Sequence, residues 1–145
     1  MRGEIFEIII PEFDYHLIMR VRDLRIKHKP YLSMFQLAQQ LGLPDSSVSK
    51  AENMKDRFRY NTRTLNRIAN FFQLRSYSEL FPEKIIKNDL VKMRLQKVTL
   101  KKGKQIVSED GTIPKAYEVI SIVPLTESET LLWQANKLPY LSITK

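Results

Sequence analysis

Apolar residues recur along this chain with two different periods. From Phe13 to Phe81 they fall at helical spacing, whereas before Pro11 and after about residue 90 they come in short β-branched runs. Glu4 to Ile10 (EIFEIII), closed by Pro11, predicts a short strand, which cannot be stable alone and must pair with something outside the helical stretch. The spacing of Leu17, Val21 and Leu24, with Ile18 beside them, predicts a helix from Phe13 to about His28. Its polar face carries Arg20, Arg22, Arg25 and Lys27, and Asp14 near its start suits the helix dipole. Two short helical patterns follow within Leu32 to Met54. In the first, Ser33 is a plausible N-cap, Phe35, Leu37, Ala38 and Leu41 form the apolar face, and Gly42 is the C-cap. Leu43 reads as a buried turn residue and Pro44 as the restart. The second pattern, Asp45 to Asn53, offers only Val48, Ala51 and Met54 to a core. A further helix, capped by Asn61 or Thr62, runs to about Phe72 with Leu65, Ile68, Ala69 and Phe72 inward. A short one, Ser76 to Phe81, ends at Pro82.

Beyond Lys84 the pattern predicts strands at about 92–100, 104–108 and 117–123, with Lys102-Gly103 and Asp110-Gly111 as hairpin candidates. A shift in apolar parity between Leu95 and Val98 suggests a bulge. Thr126 to Glu129 (TESE) is a capping box, so a short helix with Leu131, Leu132 and Trp133 should follow, and Tyr140 to Thr144 is a last strand. The expected organisation is α+β in three parts: an N-terminal strand or arm (1–12), a helical domain (13–82) and a β-rich C-terminal domain (83–145) for dimerisation or partner binding. The N-terminal strand is expected to join the small antiparallel sheet of the C-terminal part.

The second short helix shows Asp45, Ser46, Ser47, Ser49 and Lys50 on its other face. Such small hydroxyls are either a solvated face on an ordinary helical hairpin or a surface that a DNA major groove can accept, since long side chains would hold the backbone away from the base edges. After it, Lys55 to Asn61 (KDRFRYN) alternates cations with aromatics. That loop is either simply solvated or a phosphate-binding segment.

The run L-S-x-x-x-L-A-x-x-L-G-L-x-x-S-x-V-S-K-x-E, with Val21, Leu24 and Arg25 upstream and T-L-x-x-I-A-x-x-F from Thr64 to Phe72 downstream, resembles the XRE or lambda-repressor-like helix-turn-helix family over residues 13 to 81. The resemblance implies a five-helix bundle whose recognition helix enters the major groove. Asp45, Ser46, Ser47, Ser49 and Lys50 would then contact bases. Ser33 with the first-turn amides after it, Lys55, Arg57, Arg59 and Asn61 would contact phosphates. The chain departs from the family at four places: Met34 stands where members carry a phosphate-bracing Gln, Pro44 where they carry Ser or Thr, and Met54 and Gln73 where they carry Gly.

Charge agrees with a polyanionic partner. The formal net charge is +8, and twelve Lys/Arg against six Asp/Glu between Phe13 and Phe81 leave only +2 for the rest. With no cysteine there is no disulfide, thiol nucleophile or thiolate metal site. His16 and His28 read as surface histidines, Glu127 and Glu129 as helix-start residues, and the four glycines are unclustered, so no catalytic residue, cofactor or metal is expected. No run approaches the roughly 18 residues of a membrane span, and a cytoplasmic protein is expected. Trp133 reads as a core or interface anchor, with partner binding as the other option. The expected function is a sequence-specific double-stranded DNA-binding regulator of transcription. A single unit buries too little on DNA, so a homodimer is expected, joined through the C-terminal sheet and the Trp133 helix. The second expectation is a protein-interaction module, such as an antitoxin or phage-type adaptor, whose C-terminal part binds another protein.

Overall fold

The computed structural model describes residues 3–98 and 113–143. The fold is α+β, with five helices and a four-stranded antiparallel sheet among the described residues. Two units divide it: a sheet unit from the described residues of Met1–Phe13, Ile86–Lys104 and Pro114–Lys145, and a helical unit from those of Asp14–Ile85 and Gln105–Ile113. The N-terminal strand and the C-terminal third thus share one unit.

In the sheet unit, β1 (Ile5–Pro11) lies between β2 (Leu90–Lys97) and the short β4 (Leu141–Ile143), and β3 (Tyr117–Pro124) flanks β2, giving the order β3-β2-β1-β4. Phe6 pairs with Leu95, Ile8 with Met93 and Ile10 with Val91, so these six side chains share one face, and all six are fully buried. That alternation fixes the register, because a slip of one residue would turn the whole set outward. The register shift falls on the partner strand and not between Leu95 and Val98 of β2, as the parity shift had suggested: Arg94 pairs with Ser121 and Leu95 with Val119, leaving Ile120 of β3 as the extra residue. The expected strand at 104–108 and both hairpin candidates lie outside the described residues. The helix Glu127–Gln134 starts at the predicted capping box, in which Thr126 Oγ1 accepts from Glu129 N–H and Glu129 Oε1 accepts from Thr126 N–H. None of its residues is buried, and Trp133 is half-buried.

In the helical unit, α1 (Glu12–Lys27) leads to α2 (Met34–Gln40), α3 (Ser47–Glu52) and α4 (Thr62–Phe71), and a single 3₁₀ turn, Tyr77–Leu80, follows. In chain order the helix Glu127–Gln134 is α5. Val21, Leu37, Ala38, Leu41, Val48, Ala51, Ile68 and Leu80 form the core of this unit. Truncating one such residue, for example Leu37→Ala, costs about 2–5 kcal/mol through lost burial and the cavity left behind.

Two expectations about faces are corrected. The buried residues of α1 are Leu17, Ile18, Val21, Arg22, Arg25 and Ile26, so Arg22 and Arg25 belong to the buried stripe and not to the polar face. Ile18, Val21, Arg22 and Arg25 stand at i, i+3, i+4 and i+7, and the two arginines reach Glu52 on α3. On α2 the inward stripe is Met34, Leu37, Ala38 and Leu41, again i, i+3, i+4 and i+7, which leaves Phe35 49% exposed. Met34 therefore stands at a packing position.

Three helices end alike. After α2 the N–H of Leu43 donates to the Ala38 carbonyl and that of Gly42 to Gln39; after α4 Leu74 and Gln73 donate to Ala69 and Asn70; after α5 Lys137 and Asn136 donate to Leu132 and Trp133. Each is a Schellman closure, whose penultimate residue must be left-handed. Gly42 (φ 68°) takes that conformation freely, while Gln73 (φ 54°) and Asn136 (φ 58°) carry a side chain into it.

Candidate nucleic-acid interface

The connection between α2 and α3 is short and closed at both ends. The Schellman closure at Gly42 ends α2, and Arg67 Nη1, reaching from α4, donates to the Leu41 carbonyl at 3.0 Å. Ser47 N–H then donates to the Pro44 carbonyl and Lys50 N–H to Ser46, which starts α3. Ser33 caps α2 in a capping box: its Oγ accepts from Gln36 N–H at 3.0 Å and its own N–H donates to Gln36 Oε1 at 2.9 Å. The Ser33 side chain, expected to serve a phosphate, is committed to that cap.

What fixes α3 in place is a buried ion pair with α1. Arg25 is fully buried, and its Nε and Nη2 donate to the two carboxylate oxygens of Glu52 at 2.7 Å each. Its Nη1 donates to the Leu32 carbonyl at 3.0 Å and to Tyr31 Oη at 3.2 Å. Burial alone would lower the Arg25 guanidinium, but the hydrogen bonds and charge of Glu52 hold it above its usual range. Arg22, also buried, comes within 3.9 Å of Glu52; burial lowers its guanidinium and Glu52 works against that shift. A paired arrangement with this many donors satisfied locks α3 against α1, since either group left alone in the interior would cost several kcal/mol.

The remaining face of α3 and its approach point outward. Asp45, Ser46 and Lys50 are exposed and Ser49 is half-buried, with its Oγ donating to the Ser46 carbonyl at 2.9 Å. Ser47 does not join them. It is 4% exposed, because it lies one turn before Ala51 on the stripe that Val48 and Ala51 bury, so its expected place on the outward face is corrected. Ser46 occupies the N-cap position without a side-chain cap bond.

The loop after α3 is braced by its own side chains. Asn53 Oδ1 accepts from Lys55 N–H at 3.1 Å and Asp56 Oδ1 from Phe58 N–H at 2.9 Å, while Phe58 and Tyr60 meet edge to face. Arg59, expected to hold a phosphate, turns inward instead: its Nη1 donates to the carbonyls of Asp56 (3.0 Å) and Phe58 (2.7 Å). Burial pushes the Asp14 carboxyl up, and the Arg59 charge opposes that shift. Lys55 and Arg57 are exposed. Asn61 is exposed as well, but its Oδ1 caps α4 by accepting from Thr64 N–H at 2.8 Å. The outward set is therefore Asp45, Ser46, Ser49 and Lys50, followed by Lys55 and Arg57.

Other chemistry finds little to work with. Among the described residues no group of three or more His, Cys, Asp or Glu could hold a metal ion. His28 stacks on Phe71, with centroids 5.6 Å apart, and its Nδ1 lies 2.8 Å from the Pro30 carbonyl. It is half-buried, one side of its ring packed on Phe71. An open groove of about 660 Å³ beside α4 is lined by Asn66, Asn70, Gln73, Arg75 and Tyr77 among others, with no carboxylate or histidine. No helix among the described residues is long and apolar enough to cross a membrane. No family model, no curated protein and no solved structure matches the chain.

Proposed function

We propose that this chain is a lambda-repressor-like helix-turn-helix protein that binds double-stranded DNA sequence-specifically and regulates transcription as a dimer. The observation that carries the reading is the outward side of α3 and of the turn leading into it: Asp45 and Ser46 before the helix, then Ser49 and Lys50 on a helix whose opposite side is pinned by Val48, Ala51 and the buried Arg25–Glu52 pair. A helix that is rigid behind and short in front can lie close to base edges. There a lysine donates to guanine O6 and N7, a serine reads either partner, and a carboxylate accepts from a cytosine amino group. Lys55 and Arg57, on the loop that follows, supply phosphate neutralisation, which positions the helix without reading sequence. Ser47, Ser33 and Arg59 are left out of the contact set, because each is buried or committed to a bond within the protein; Ser49 stays only as an acceptor, since its hydroxyl proton is given to the Ser46 carbonyl.

One such unit buries roughly 600–1,000 Å² on DNA, too little for tight specific binding at physiological salt, so two copies reading half-sites about 34 Å apart are required. The experiment is a titration of duplex DNA by fluorescence anisotropy over a range of salt concentrations. Each phosphate contact steepens the log–log salt dependence by about 0.9, so Arg57→Ala should flatten the slope by that amount per bound copy and weaken all sequences alike. An Arg57→Ala slope equal to that of the wild type, or no salt-dependent binding by either, overturns the reading.

A further inference from the structure

The three left-handed residues that close α2, α4 and α5 are of three kinds. Gly42 takes φ 68° with no side chain in the way, and Asn136, at φ 58°, belongs to the few residue types that visit this conformation routinely. Gln73, at φ 54° after α4, does not. A long side chain kept where glycine would be easier points to a use for it, since such outliers cluster at ligand clamps. Gln73 lines the open groove of about 660 Å³ beside α4.

The rest of that groove is polar and little engaged within the protein. Tyr77 Oη donates to Asn66 Oδ1 at 2.6 Å, and Asn70 Nδ2 donates to the Asn66 carbonyl at 2.9 Å. These bonds orient both amides and leave the Asn66 Nδ2 donor and the Asn70 Oδ1 acceptor unused among the described residues. The Gln73 amide and the Arg75 guanidinium have no partner there either, because Glu79 Oε2 accepts from the backbone N–H groups of Arg75 and Ser76. No carboxylate lines the groove to balance Arg75. A second hollow, of about 570 Å³, shares Asn66 and Asn70 and prolongs the first toward Gly42.

We propose that this groove binds a short extended peptide segment of a partner protein, one that carries an aspartate or glutamate. Asn66 and Asn70 stand one turn apart on α4, about 6 Å along its axis. Alternate residues of an extended chain turn their N–H and C=O groups to the same side at intervals of about 6.6 Å. A free amide donor and a free amide acceptor at nearly that interval meet a peptide backbone in register, and Gln73 offers both kinds beside them. Arg75 supplies the planar fork that holds a carboxylate through two parallel bonds. The ring of Tyr77, 56% exposed, gives the segment an apolar contact. A small-molecule site encloses most of its ligand behind apolar walls, whereas this groove is open and polar. No residue of the outward face of α3 lines either hollow, so the inference stands apart from the DNA reading.

The probe is a pool of displayed random hexapeptides, selected on the full-length wild type without DNA and counter-selected on the double variant Gln73→Gly/Arg75→Ala. Enriched peptides should carry Asp or Glu at a fixed position and, once synthesised, bind the wild type at micromolar concentrations. Gln73→Gly should bind them about 3–10-fold more weakly, and Arg75→Ala at least about 10-fold more weakly. Because Gln73→Gly should melt no lower than the wild type, its lost affinity reports a lost contact and not a lost fold. Exchanging the peptide's acid for the amide should weaken binding to the wild type and leave binding to Arg75→Ala unchanged. No enrichment, enriched peptides that bind both single variants as they bind the wild type, or binding of a mononucleotide such as AMP and of no peptide, overturns the inference. Failure here leaves DNA binding through α3 untouched, and a chain that takes the peptide but no DNA keeps the groove and loses the proposed function.

Discussion

Replacing Glu52 by glutamine should cost the helical unit about 3–5 kcal/mol. The magnitude follows from the geometry. Arg25 is fully enclosed, and two of its nitrogens donate at 2.7 Å to the two Glu52 oxygens, whose side chain is 5% exposed. Glutamine keeps the shape, but it offers one acceptor oxygen, turns an NH₂ toward a guanidinium and leaves the buried positive charge without its counter-ion. Against a stability of about 5–15 kcal/mol for an ordinary domain, that is a large share. With roughly 4–8 °C per kcal/mol for a unit of this size, the melting temperature should fall by at least about 12 °C. The assay is urea unfolding followed by far-ultraviolet circular dichroism, on Glu52→Gln, Arg25→Met and the double variant Arg25→Met/Glu52→Met. Since the double variant leaves no orphan from this pair, its loss should be well below the sum of the two single losses. A cost below about 1 kcal/mol for Glu52→Gln, or strict additivity, would refute the argument that this pair holds α3.

Two further stability predictions follow from single residues. Gln73 sits at φ 54° in the Schellman closure of α4, where a side chain costs about 1–2 kcal/mol that glycine partly recovers; Gln73→Gly should raise the urea midpoint by about 1 kcal/mol equivalent, and a loss of stability would contradict the strain. Tyr60 is 9% exposed, and its hydroxyl finds no hydrogen-bond partner among the described residues. Burial, reinforced by the Glu52 charge, pushes its phenol well above the ordinary range. The folded state thus binds that proton more tightly than the unfolded chain does, so the associated stability is complete below about pH 10 and is lost as pH rises above it. Tyr60→Phe should remove that alkaline loss and be neutral or stabilising by about 1 kcal/mol at neutral pH. A variant that keeps the wild-type alkaline profile would show that another group titrates there.

Much of the fold was legible because its signals are local. The N-cap at Ser33, the capping box at Thr126, the glycine stop at Gly42 and the β-branched run before Pro11 each act over a few residues, and each produced the element expected. That the N-terminal strand joins the C-terminal sheet was expected; its pairing with β2 and the register are shown by the structure alone. The faces of the helices are harder to read, because a polar side chain suggests exposure whatever its position on the helix. Arg22 and Arg25 continue the spacing of Ile18 and Val21, and Glu52 that of Val48 and Ala51, so position on the helix pointed inward while charge suggested outward. Only the pairing of the two ends, across 27 positions of sequence, makes burial of both tolerable. The same spacing test would have turned Phe35 out, Met34 in and Ser47 under. Arg59 was illegible for another reason: its partners are backbone carbonyls, which the sequence does not distinguish.

The central claim is that the outward face of α3 reads DNA. Its most direct test is selection of bound duplexes from a random pool by the wild type and by Lys50→Ala. The account predicts that the wild type enriches a twofold-symmetric site with half-site centres one helical turn apart, and that Lys50→Ala enriches the same site with preference relaxed at one position in each half, a loss of about 1–3 kcal/mol of discrimination there. A wild type that enriches no sequence, or a site whose preferences are the same for both proteins at every position, would contradict it.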